Sequence, residues 1–257
     1  MTRPSSVAAA SHQIGMAHYR IGRYDAAEVA YRKSLEINTQ IGNRVGQASS
    51  LGELGNLYDY GLKRLEDAII FYKQAAEIHV ELGDLRHQGI AHHNIAKTLY
   101  RLNFYDEARE QILQAIKCYQ PYGTAVGIWK SFNILYKVEV ATKKLAAAQI
   151  AWQQARRAYF IYRQEGGQAQ FDGGKLVQQI LDLLNQQQNV PSLFEELAAL
   201  SNEPGITASL KQLIQAIAFI LNGSRDPALA DDPALDYDDA AEVLFLIERL
   251  SSQVPGA

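Results

Sequence analysis

Along the first two thirds of the chain, small and large apolar side chains alternate with polar ones at helical spacing, and the pattern recurs. The segments DAAEVAYRKSLEI (25–37), EDAIIFYKQAAEI (66–78), DEAREQILQAIKC (106–118) and AAAQIAWQQARRA (146–158) align without gaps. Each carries a small residue (Ala27, Ala68, Ala108, Ala148) and a large one four later (Tyr31, Tyr72, Ile112, Trp152). Three beyond stands another small one (Ser34, Ala75, Ala115, Ala155). Positions i, i+4 and i+7 share one helical face, where small side chains admit a neighbouring helix and the large one fills the gap. Ala27, Ala68, Ala108 and Ala148 are spaced by 41, 40 and 40 residues.

A second helical segment precedes these in the first three units: IGMAH (14–18), LGNLY (54–58) and NIAKTL (94–99). The turns IGRYD, YGLKRLED, LNFYD and ATKKLA follow within each unit, with an extra residue in the second. Gly42, Gly83 and Gly123 lie between units, where helix C-termini need positive φ. The chain therefore reads as helix–turn–helix four times, with strands nowhere favoured.

These residues resemble the tetratricopeptide repeat family. Its Leu-Gly, then Tyr three on, then Ala and an aromatic four later correspond to Leu54, Gly55, Tyr58, Ala68 and Tyr72. The first unit matches with Ile14, Gly15, Ala27 and Tyr31, but has His18 where tyrosine is expected. The third keeps size classes with Ile95, Ala96, Leu99, Ala108 and Ile112. The family's proline near the unit's end is missing, and the period near 40 is that of the long variant found in kinesin light chains. The resemblance implies an all-α, right-handed α-solenoid of four repeats over residues 8–167. A C-terminal helical extension or cap is expected over 168–257, built from segments such as GGKLVQQILDLLNQQQ (173–188), PSLFEELAAL (191–200), ITASLKQLIQAIAFIL (206–221) and YDDAAEVLFLIERL (237–250). A separate small domain is the alternative for this last third.

Candidate chemistry changes the picture little. Gly173-Gly174-Lys175 lacks the earlier glycine and following hydroxyl of a P-loop, Ala169 and Leu176 standing there instead. Cys118 falls on the packing face and is expected to be a buried thiol without an activating partner. His87, His92 and His93 lie within seven residues. Neighbours on a helix diverge by about 100°, however, so His92 and His93 cannot easily face one ion. The acidic stretch DPALADDPALDYDDAAE (226–242) lacks the order of a calcium loop and reads as Asp-Pro turns and an acidic helix start. No catalytic residue, metal or cofactor is expected, and an enzyme is not.

The chain has 257 residues, 47% hydrophobic and 21% charged, with a formal net charge of -3. This is a globular composition without the strong basicity that favours nucleic acid. No apolar run approaches the roughly 18 residues that span a bilayer. MTRPSSVAAASHQ does not read as a secretory signal, and the single cysteine implies no oxidising compartment. A cytoplasmic protein without membrane partners is expected.

In the family the first helices of successive repeats line a concave groove that holds a peptide or a partner's helix. With Ile95 at the leucine position, the resemblance places His93, Asn94, Lys97, Tyr100 and Arg101 there. His12, Tyr19 and Arg20 come from the first unit, and Asn56, Asp59 and Tyr60 from the second. Aligning SFNIL (131–135) with HHNIA adds Phe132, Asn133 and Tyr136 from the fourth, while a shift of one would offer Lys130 and Lys137 instead. Asparagine can bond peptide N–H and C=O, Lys and Arg can hold carboxylates, and tyrosine supplies area with a polar tip. Residues 101–163 hold ten Lys/Arg against four acids, so an acidic partner segment is one expectation. The acidic stretch at 226–242 could compete for it. Asn56 and Asn94 are similar to the carboxylate-gripping set of chaperone-binding members, but Gly52 and Ile134 or Asn133 replace its charged residues.

The reading is a scaffold that binds a partner protein or peptide, with oligomeric state open. One alternative is the sensor portion of a larger protein such as a signalling ATPase. Another is an RNA-binding helical repeat.

Overall fold

The computed structural model describes residues 3–186 and 190–252; of the predicted extension, 187–189 and 253–257 lie outside the described residues. The described residues form twelve α-helices and no strand. They are α1 (Pro4–Arg20), α2 (Tyr24–Gln40), α3 (Arg44–Asn56), α4 (Leu65–Glu81), α5 (Leu85–Arg101) and α6 (Tyr105–Tyr119). Then follow α7 (Trp129–Ala141), α8 (Leu145–Gln164), α9 (Asp172–Asn185), α10 (Val190–Ser201), α11 (Ala208–Leu221) and α12 (Tyr237–Ser251). Contacts divide the chain into two compact units, Met1–Val126 with Ile134–Ala148, and Gly127–Asn133 with Gln149–Ala257.

In the first unit each helix from α1 to α6 packs against the next, so helix pairs stack in chain order as a repeat array. The small–large pattern has a direct steric reading. A Cβ added at Gly15 would lie 2.6 Å from the Tyr31 ring, and one at Gly55 would lie 2.5 Å from Cδ1 of Tyr72. Each first helix thus presents bare backbone to the tyrosine of the second. The third repeat puts Ala96 and Ile112 at the same positions, both fully buried, exchanging ring volume for a methyl group.

The turns repeat as closely as the helices. Gly22, Lys63, Asn103 and Lys143 occupy one position in successive units, and all have positive φ, between 58° and 75°. Gly42 and Gly83 do the same between units, whereas Gly123 has positive φ but lies in a different turn, with ψ of -133°. Left-handed backbone costs an L-residue about 1–2 kcal/mol, least for asparagine. Lys63→Gly and Lys143→Gly should therefore each raise stability by about 0.5–1 kcal/mol, read as a higher urea midpoint, after allowing for glycine's greater unfolded-state entropy.

The extra residue of the second unit is taken up by a π-helical turn, Leu57–Gly61, continuing α3. Inserting one residue into a helix without breaking it is what a π turn does.

The second unit has its own apolar core, in which Val177 and Ile180 of α9 meet Leu213 and Ile217 of α11 and Val243 and Leu246 of α12. Inside it lies an ion pair, Arg163 Nε to Glu242 Oε1 at 2.8 Å, with side chains only 3% and 1% exposed. Gly173 and Gly174 begin α9 close against α12, Gly173 facing the Asp239 carboxylate and Gly174 that of Glu242, from whose Oε1 a Cβ at Gly174 would fall 2.5 Å. The Gly-Gly pair serves close helix approach.

Candidate functional site

The first helices of the array place the predicted groove residues in two groups. His12 of α1, Asn56 of α3 and Asn94 of α5 line one cleft of about 340 Å³ within the first unit. His12 lies 5.7 Å from the Tyr31 ring, centroid to centroid. Asn56 accepts a hydrogen bond from the Tyr72 hydroxyl at 2.9 Å, which fixes its amide. At the position between His12 and His93 in the repeat stands Gly52, with open space where a side chain would begin.

The second group gathers near the ends of α3 and α5. Lys97 Nζ lies 5.2 Å from the centre of the Tyr60 ring, a cation–π contact. Tyr19 leans on Tyr24 and Tyr100 on Tyr105, each at 5.8 Å. Burial, then the neighbouring Tyr24, pushes the Tyr19 hydroxyl above its ordinary pKa. Arg20 is exposed at the end of α1, and His93 is half-buried. Phe132 and Asn133 fall in the second compact unit and Tyr136 in the first; all three are half-buried.

Asp59 is a correction. It sits in the π turn, its side chain 0% exposed, and its carboxylate accepts from Thr98 Oγ1 at 3.2 Å and pairs with Arg101 Nη1. The widened turn carries it inward, so Asp59 ties α3 to α5 and holds Arg101 from below.

The basic surplus is also partly consumed. Arg109 makes a two-pronged bond to Glu139, 2.8 Å on each arm, and a third contact to Asp106. Arg156 pairs with Asp231, and Arg163 with Glu242. With Arg101, four of the ten cations in 101–163 are neutralised within the chain, two of them by the acidic stretch. That stretch otherwise builds turns: Asp226 and Asp232 accept from the backbone two residues on. Asp239 is buried on Ser209. Burial, then the adjacent Asp239, pushes the Asp238 carboxyl up to about 7.

Glu53, His79, Asp84 and His87 also line the cleft, and of these the sequence pattern draws attention only to His87. Asp84 caps α5, its Oδ1 accepting from the His87 backbone N–H at 3.1 Å. Its Oδ2 faces the Nδ1 atoms of His87 at 2.7 Å and His79 at 3.7 Å. Burial alone would raise the Asp84 carboxyl, but the bonds from the His87 backbone and ring outweigh it and hold it below its ordinary range. Burial lowers the His79 imidazole. His92 turns elsewhere, its Nδ1 2.8 Å from Gln111 Oε1. Cys118 is buried, and burial raises its thiol. Among the described residues no helix is long and apolar enough to cross a membrane.

Family profiles described as Tetratricopeptide repeat match residues 6–79 and 93–120. No curated protein matches the sequence. Among solved structures, BtubC (BKLC) from P. vanneervenii aligns with a TM-score of 0.57 at 17% identity, covering 98% of this chain and 83% of that one. The apo form of RapI aligns with a TM-score of 0.60 at 15% identity, covering 99% and 87%. At such identities the likeness speaks to fold alone, and it agrees with the stacked helix pairs. With glycine–tyrosine packing and left-handed turns recurring every 40 or 41 residues, the chain belongs over these repeats to the tetratricopeptide repeat family, in its long-period, kinesin-light-chain-like form.

Proposed function

We propose that the chain is a non-catalytic interaction module that holds an extended segment of a partner protein along the first helices of its repeats. The observation that supports this most is that His12, Gly52 and Glu53, Asn56 and Asn94 all line one cleft, although they come from three successive repeats. In this reading the asparagine amides bond the partner's backbone, and Lys97 receives a carboxylate at the far end of the helices. The scheme of four repeats over 8–167 and a helical extension over 168–257 belongs to the same proposal. An acidic partner is favoured less than the sequence suggests, because four of the ten cations in 101–163 are already paired within the chain. The partner is then chosen by shape and backbone bonding, with charge acting at Lys97.

Gly52→Arg tests it cleanly. Nothing lies within 4 Å of a Cβ at that position, and glycine is a poor residue inside a helix. The variant should be as stable as the parent or more so, while its side chain fills the cleft. Affinity capture followed by mass spectrometry should lose partners with Gly52→Arg and retain them with Arg157→Glu on α8. Equal capture by Gly52→Arg and the parent would defeat the groove reading.

A further inference from the structure

The turn between the second and third repeats differs in kind from its counterpart one repeat earlier. In both turns the backbone N–H after the glycine donates to the carbonyl five residues before it at 2.9 Å: Asn43 to Asn38, and Asp84 to His79. Both then start the next helix with a side-chain cap, Asn43 onto the Gly46 N–H and Asp84 onto the His87 N–H, each at 3.1 Å. This 6→1 closure of a helix end onto the next helix start forces three positions together. In the first turn they hold Asn38, Asn43 and Gly46, and Asn43 Nδ2 simply donates to Asn38 Oδ1 at 2.8 Å. The structural requirements of the turn are met there by two amides and a glycine.

The second turn places His79, Asp84 and His87 at the same three positions, 41 residues on. One ligand atom from each lies within 4.8 Å of the other two. The imidazoles stack at 5.2 Å with 20° between planes. Asp84 Oδ1 is held by the cap, which leaves Oδ2 aimed at both rings. The His79 side chain is only 12% exposed, and its Nδ1 is buried with no hydrogen-bond partner. A buried polar atom left unbonded is costly, and the cap alone does not explain it.

We propose that His79, Asp84 and His87 form a binding site for a divalent first-row transition metal ion, zinc first among them, on the wall of the repeat cleft. Zinc takes imidazole nitrogen and carboxylate oxygen at about 2.0–2.2 Å, so tetrahedral ligands stand roughly 3.4 Å apart. The distances from Asp84 Oδ2, 2.7 Å to His87 and 3.7 Å to His79, bracket that value. Bonding to the ion would occupy His79 Nδ1. The cap hydrogen bond would act as the outer support that orients the carboxylate. Three protein ligands leave one position of a tetrahedron to water or to a group on a bound partner. This departs from the sequence-level expectation of no metal, which weighed His87 against His92 and His93 on its own helix and not against the residues across the turn.

The test uses the full chain without an affinity tag, zinc sulfate in titration calorimetry, and cobalt chloride followed by visible absorption. The parent should bind one equivalent, with a four-coordinate cobalt spectrum. Asp84→Asn, His79→Gln and His87→Gln should each weaken binding by at least the roughly 10- to 100-fold that loss of an outer-shell partner costs. Asparagine caps a helix as well as aspartate, so Asp84→Asn keeps the fold and removes only the charged ligand. The doubly substituted His92→Gln/His93→Gln chain should bind as the parent does. Absence of stoichiometric binding by the parent, unchanged binding by Asp84→Asn and His87→Gln, or loss of binding in the His92/His93 variant would each overturn the site. No partner protein takes part in these measurements, so they stand apart from the groove reading.

Discussion

Arg163→Met should cost the second unit about 3–5 kcal/mol, because it leaves Glu242 as an unpaired carboxylate in an apolar core. Both side chains are almost fully buried, and α9 approaches them closely through Gly173 and Gly174. Burial already raises the Glu242 carboxyl, against the lowering effect of Arg163. Without the arginine that pKa rises further, and a folded state with a raised carboxyl binds more protons than the unfolded chain. Its stability then falls as pH rises from the ordinary glutamate range toward the folded value. The variant should therefore be least destabilised at mildly acidic pH and most at pH 8, measured as urea midpoints across that range. Arg163→Met/Glu242→Leu should recover most of the loss, since an apolar pair of similar volume often replaces a buried ion pair without penalty. A flat pH dependence in the single variant would show that solvent reaches Glu242 after all.

Gly55→Ala is expected to cost about 2–3 kcal/mol, a large effect for one methyl group in a helix, where alanine is normally the better residue. The added Cβ would meet the Tyr72 ring at 2.5 Å, and that ring cannot swing away: it is buried and its hydroxyl is bonded to Asn56. The third repeat shows the remedy, with Ala96 and Ile112 at the same two positions. Adding Tyr72→Ile to Gly55→Ala should thus cost at least 1 kcal/mol less than the sum of the single changes, a coupling that a double-mutant cycle in urea resolves. Additive losses would mean that the glycine and the ring do not compete for the same volume. The same cycle at Gly15 and Tyr31 should repeat the result.

Much of this was legible in the order of residues, and the illegible parts share a cause. Small–large–small spacing on Ala27, Tyr31 and Ser34 and their counterparts needs only helical periodicity to be read, so the helix pairs follow directly. Gly42, Gly83 and Gly123 announce their turns because only glycine takes positive φ freely. Lys63 and Lys143 adopt the same backbone without any compositional signal, and only their repeat position gives them away. Counting along a straight helix places Asp59 outward, and the π turn inserted at Leu57–Gly61 changes that count. His79 escaped because it ends one helix while Asp84 and His87 begin the next; periodicity treats each helix alone, whereas the turn between them decides which residues meet.

The π turn has one more consequence. A residue added to an ordinary α-helix rotates everything beyond it by about 100°, which would swing one side of the repeat out of line with its neighbours. By spending the added residue in a single wide turn between the packed part of α3 and the start of α4, the second unit keeps both of its faces in phase with the units on either side. The insertion is confined to where its only effect is local, and the residue it displaces inward, Asp59, becomes a strut between adjacent repeats. An irregularity in the period is thereby converted into a brace.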